Sequence, residues 1–77
     1  MQVEILSPDK TLYAGEADHI QLPGQDGSFG VLNNHAPLIA GLKEGTVNLR
    51  SGDEEKTFDI KGGVVEVVSN KVIVLAE

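Results

Sequence analysis

Four serines, two histidines and a small group of carboxylates are the side chains from which this 77-residue chain could assemble an active site. Enzymatic chemistry needs a nucleophile, a base and a group that meets the developing charge. Of Ser7, Ser28, Ser51 and Ser69, none stands in a Gly-x-Ser-x-Gly elbow. Ser28 in "DGSFG" comes nearest, with Asp26 where the elbow's first glycine belongs. That motif also requires a strand-to-helix turn, and no helix is readable here. Ser28 is therefore read as a turn residue. In "GEADHIQ", Glu16, Asp18 and His19 lie close in sequence. Along a strand, successive side chains point to opposite faces, so His19 turns away from the two carboxylates. A solvated polar edge accounts for them better than a metal site. No catalytic, metal or cofactor residues are assigned.

The stretch "GSFGVLNNHAPLIAGLKEG" is the most contorted part of the chain. Gly24, Gly27 and Gly30 are evenly spaced, but neither a Lys-Ser/Thr ending nor a helix start follows, so they do not form a phosphate loop. They read instead as backbone devices. Asp26-Gly27 is a two-residue hairpin signal, and Gly30 within "SFGVL" indicates a bulge or a close backbone approach. Pro37 holds Ala36 extended. Asn33 and Asn34 tolerate left-handed conformations, which would present His35 outward on a fixed platform. His35 has two readings, a loop histidine bonded to nearby carbonyls or a recognition residue on a rigid scaffold.

The elements that position these residues follow from composition and period. Seventy-seven residues make one domain, 1–77. A domain of this size buries only about 60% of its unfolded surface. Small domains often gain stability from disulfides, a metal or a partner. The chain has no cysteine, which excludes disulfides and thiolate zinc, fits a reducing compartment, and leaves a partner as the remaining source. Twelve acidic residues against six basic ones give a net charge of −6, and only three residues are aromatic, a composition that argues against nucleic-acid binding. No apolar run approaches the ~20 residues of a spanning helix. "MQVEILSPDK" lacks the pattern of an export signal. A soluble, cytoplasmic chain is expected.

Period-two alternation marks the strands. "QVEIL" places Val3 and Ile5 on one face, and "DHIQL" does the same with Ile20 and Leu22. "TVNLR" and "TFDIK" bury Val47, Leu49, Phe58 and Ile60 around the polar loop "SGDEE". In Val64–Glu77, seven of fourteen residues are Val or Ile, which favours strands. Ser69-Asn70-Lys71 divides that run into a hairpin of Val64–Val68 against Val72–Leu75. Short half-polar strands between Gly, Pro, Asn and Asp turns predict an all-β antiparallel sandwich or barrel.

Three ordered segments carry a family resemblance. "VEILSPDKTLYAGEADHIQLPGQDG", "GSFGVLNNHAPLIAGLKEG" and "IKGGVVEVVSNKVIVLAE" resemble the opening, central and closing motifs of the ε-subunit family of F-type ATP synthases, over nearly the whole chain. The resemblance implies a single β-sandwich of about ten short strands at the foot of a rotor's central stalk. It implies a non-catalytic subunit that binds the γ subunit, rests on the polar loops of the c-ring and couples proton translocation to ATP synthesis. Its place would be peripheral, on the cytoplasmic face of a bacterial cell membrane, as part of the F1 sector. By position, the resemblance assigns Asp26, Gly27, Ser28 and Phe29 to the c-ring interface, and Ser7, His35 and Ala40 to the γ interface.

The chain departs from the family pattern in two places. Asn33-Asn34 replace a Pro-Gly before the histidine, and Ser28 replaces a common acidic residue, which leaves Asp26 as the nearest carboxylate. Many relatives continue into a C-terminal helical hairpin that inhibits hydrolysis and in some binds ATP. Ending at Glu77, this sequence is expected to lack that hairpin and to bind no ATP. The alternative reading is a lipoyl- or biotinyl-type carrier domain, also a small acidic β-fold, modified at Lys71. The flanks of that lysine, "VSNKVIV", lack the acidic or Met neighbours such domains present.

Overall fold

The β-branched and alternating segments all become strands, and no other regular element forms. The computed structural model describes residues 1–77 and contains β1 (Gln2–Leu6), β2 (Thr11–Glu16), β3 (His19–Gly24), β4 (Gly27–Leu32), β5 (Leu38–Ser51), β6 (Glu54–Val68) and β7 (Lys71–Ala76). They form one hydrogen-bonded sheet in the order β2-β1-β7-β6-β5-β3-β4.

The sheet becomes two layers because of its longest pair. β5 and β6 are antiparallel and keep one register from Leu38↔Val67 to Ser51↔Glu54, with pairing skipped only at Glu44, and are closed by a two-residue turn in which Gly52 has φ 61°. Near the turn, Val47 and Leu49 of β5 and Phe58 and Ile60 of β6 face the core. Farther along, the inward positions become Ala40 and Leu42, with Val65 and Val67 opposite. Inward residues thus shift from odd to even positions on β5 and from even to odd on β6. A strand with strict alternation cannot change its buried face. The change falls at Gly62 (φ 151°) and Gly63 (φ 142°), in a backbone region that L residues with a Cβ seldom enter. One layer is then β2, β1, β7 and the second half of β6 with the first half of β5. The other is the remaining halves with β3 and β4.

Sixteen apolar residues, Met1, Ala17 and fourteen from every strand but β2, form the core, and no polar side chain is buried. Val3, Ile5, Val65, Val67, Val72 and Val74 from one layer meet Ile20, Leu22, Val31, Val47 and Leu49 from the other. Burying each such side chain contributes about 1.5–3 kcal/mol. At the seam, the rings of Tyr13 on β2 and Phe58 on β6 lie 5.9 Å apart, with the Lys56 ammonium 5.5 Å over the tyrosine ring.

An all-β sandwich is what the sequence predicts, with differences in detail. Seven strands stand where about ten were expected, because β5 and β6 each serve both layers without interruption. One pairing, β1 with β7, is parallel, where the reading expected antiparallel pairs throughout. The first and last strands lie side by side in the same direction, and the whole intervening chain makes the crossover that parallel neighbours need. The Ser69-Asn70 turn forms as read, with φ 51° and 59°, and β7 already begins at Lys71.

The bend gives the first prediction. A Cβ on Gly63 would lie 2.1 Å from the Leu75 carbonyl oxygen. Gly63→Ala should therefore lower unfolding free energy by about 2–3 kcal/mol, measured by urea denaturation. A loss within error would show that the bend does not depend on that glycine.

Candidate partner-binding surface

The side chains singled out in the sequence lie in three places. At the first, β3 turns into β4 through Gln25-Asp26, with Gly24 paired to Gly27. The predicted turn pair Asp26-Gly27 is thus displaced by one residue. The positive φ falls on Gly27, at 134°, after the turn rather than within it. Asp26, Gly27 and Ser28 are exposed, and Ser28 Oγ accepts a hydrogen bond from Gln21 Nε2 at 2.6 Å. Phe29 is half-buried against the core. Gly30 causes no bulge, since β3 and β4 stay in register from His19↔Leu32 to Gly24↔Gly27. Side chains close over it instead: a Cβ there would meet His19 Nε2 at 2.7 Å and Gln21 Oε1 at 3.0 Å.

At the second place, the loop between β4 and β5 is held at its start. Asn34 has φ 62°, and its N–H donates to Asn70 Oδ1 at 2.7 Å. Asn33 Oδ1 accepts from the Met1 nitrogen at 2.5 Å. His35 is exposed, and its Nδ1 lies 2.7 Å from the Ala36 carbonyl oxygen, a contact in which the ring N–H donates. Nε2 remains at the surface. Of the two asparagines read as left-handed, Asn34 alone is so, and His35 makes the nearby carbonyl contact of its plainer reading.

The third place is the turn after β1. The Ser7 N–H donates to the Lys10 carbonyl at 2.9 Å, and Ser7 Oγ donates to the same oxygen at 3.1 Å. Ser7 is half-buried there.

Ala40 lies on β5 opposite Val65. With Phe29, Asp26, Gly27, Leu38 and Ile39, it lines an open groove between the β3–β4 tip and the start of β5. Residues assigned to two different partners therefore share one groove, whereas Ser7 and His35 lie outside it. The sequence reading missed Ile39, which is 72% exposed and the most exposed large apolar residue. Its signal was available, since inward Leu38, Ala40 and Leu42 leave Ile39 facing outward.

The remaining candidates separate. Glu16 ends β2, Asp18 lies in the connection and His19 opens β3. Asp18 Oδ2 accepts from the Gly52 N–H at 2.9 Å, while His19 covers Gly30. Lys71 stands just past its turn, with Nζ 3.5 Å from Glu4 Oε1, so it is not presented at a hairpin tip.

A β-sandwich with an open groove beside a hairpin tip is the class that these features define. Residues 1–77 match the family model described as "ATP synthase, Delta/Epsilon chain, beta-sandwich domain", and the chain belongs to that family. The ATP synthase epsilon chain of Leptospira borgpetersenii is 43% identical over 77 residues, covering 100% of this chain and 61% of the relative. That of Caulobacter vibrioides is 42% identical, covering 100% and 90%. This chain therefore spans under two thirds of the Leptospira relative and most of the Caulobacter one. Among solved structures, a chain of the Tetrahymena thermophila mitochondrial ATP synthase central stalk and c-ring superposes with TM-score 0.84 at 21% identity, covering 97% of this chain and 61% of that one. A chain of the Euglena gracilis mitochondrial ATP synthase gives 0.90 at 19% identity, covering 96% and 48%. These two likenesses show the shared fold. The carrier-domain alternative finds no support in the family match or in the position of Lys71.

The Asn34–Asn70 bond gives the second prediction. Asn70→Gly keeps a turn residue at positive φ but removes the amide that holds the loop. It should cost about 0.5–1.5 kcal/mol and raise ¹⁵N-measured mobility at Asn34 and His35 while the β6–β7 turn stays rigid. Unchanged relaxation at both residues would show that the loop is held by other means.

Proposed function

We propose that this chain is a non-catalytic rotor subunit in the central stalk of an F-type ATP synthase. It links the γ subunit to the polar loops of the membrane c-ring and helps couple proton translocation to ATP synthesis. The observation that carries this reading is the family match over all 77 residues. The superposition on a chain of a central stalk and c-ring assembly supports it. In a bacterium, the subunit would sit peripherally on the cytoplasmic face of the cell membrane, within the F1 sector.

The c-ring contact is assigned to Asp26, Gly27, Ser28 and Phe29. Three of these are exposed at a hairpin tip, and Phe29 anchors the tip to the core. The γ contact is assigned to Ser7, His35 and Ala40. In support, His35 stands exposed on a loop held at Asn33 and Asn34. The fold provides rigidity, and an ordered loop on a rigid scaffold is well suited to recognition.

Two measurements test the assignments. A cysteine at Ser28 should crosslink to a cysteine in the c-subunit polar loop within assembled enzyme; crosslinks solely to catalytic subunits would refute the c-ring assignment. His35→Ala should weaken γ binding about tenfold and change the stability of the isolated domain by less than about 0.5 kcal/mol. Unfolding of the isolated variant would make His35 a structural residue instead.

A further inference from the structure

The groove beside Ala40 has an open main-chain edge. In an antiparallel ladder, a residue directs its N–H and C=O to the same neighbour, and successive residues alternate. The Gly41 carbonyl accepts from the Gln25 N–H at 3.0 Å, so Gly41 faces away from β6. Register between β5 and β6 is unbroken here, so Ile39 faces away from β6 as well. The pairing of β3 with β5 ends at Gly24↔Leu42, which leaves no strand opposite Ile39. Its N–H and C=O meet no protein partner. Leu38–Gly41 itself carries no charge, proline or bulge; Pro37 bounds it on one side and the Gln25–Gly41 bond on the other, so the open edge is the backbone of Ile39. Unpaired edge groups of this kind are a template for another strand.

From this we infer that β5 extends its sheet by taking up an extended polypeptide segment of a partner along Leu38–Gly41. The segment's main chain pairs with both backbone groups of Ile39. One of its alternate side chains is apolar and enters the groove lined by Phe29, Leu38 and Ala40. Another is a Lys or Arg, because Asp26 is the groove's sole charged lining residue and Glu66 is paired with Ile39 on β6. Ile39 itself, 72% exposed, is covered by the added strand. In this mode of recognition, the backbone supplies affinity and the alternate side chains supply specificity. The inference rests on the stalk reading only for the identity of that partner, the γ subunit.

The test uses the full chain, tagged, in the complex purified from its host. Exchange of the Ile39 amide should slow at least about tenfold in the complex relative to the free chain, resolved by fragmentation mass spectrometry. Ile39→Pro removes the N–H at an edge position, where proline is tolerated. It should leave the free chain folded and lower partner binding about tenfold or more, whereas Ile39→Val, which keeps the N–H, should restore binding. A complex containing γ in which the Ile39 amide exchanges as fast as in the free chain overturns the inference and leaves the stalk reading standing. Protection of Ile39 by a partner other than γ supports the inference and refutes that reading. Concentration-dependent protection in the isolated chain, with a sedimenting mass of two copies, assigns the edge to self-association and overturns it.

Discussion

The β5–β6 hairpin must serve two layers without losing register, and the rest of the structure depends on how it does so. Thirteen cross-strand partners run from Leu38↔Val67 to Ser51↔Glu54 with no slip, yet the buried face inverts partway along both strands. Gly62 and Gly63 allow this because their φ of 151° and 142° rotates the chain between halves. Val65 and Val67 can then face inward in one layer while Phe58 and Ile60 do so in the other. Without that rotation, one half of the hairpin would turn its apolar residues to water.

The surface follows from the same bend. β3 accompanies β5 only as far as Leu42, where the hairpin changes layer. It then turns through Gln25-Asp26 and returns as β4, leaving Ile39 at the rim with no strand on its side away from β6. The groove between them is thus a consequence of how the sheet divides. The loop carrying His35 is tied to the other side of that rim by Asn70, which belongs to the β6–β7 turn. Exposed segments from three connections are fixed by one continuous sheet, and the core beneath them contains no buried polar side chain that would need a partner.

Much of this was legible in the sequence for local reasons. Alternation exposed the inward faces of "QVEIL", "DHIQL", "TVNLR" and "TFDIK", and the Ser69-Asn70 turn was marked by an Asn that tolerates positive φ. The length of β5 and β6 was not legible, because the face inversion breaks the period-two signal at "KEG" and "KGG". A pattern search stops there and finds two short strands. The parallel β1–β7 pairing escaped for another reason, since strand order is a long-range property that no local window records. At the site, the turn residue was misplaced by one because Gly27 attracts a turn assignment although its φ of 134° lies just beyond the tip. Ile39 was missed because "PLIAGL" was read for its proline and glycines rather than its alternation.

One hairpin joins both layers into a single cooperative unit. The most direct measurement is urea unfolding followed through individual methyl resonances. Val65, Val67 and Val74 report one layer, and Ile20, Val47 and Leu49 the other. If the claim holds, all six lose native intensity at one common urea midpoint with one slope, as a two-state transition requires. Two separate midpoints, with either layer persisting after the other has unfolded, would contradict it.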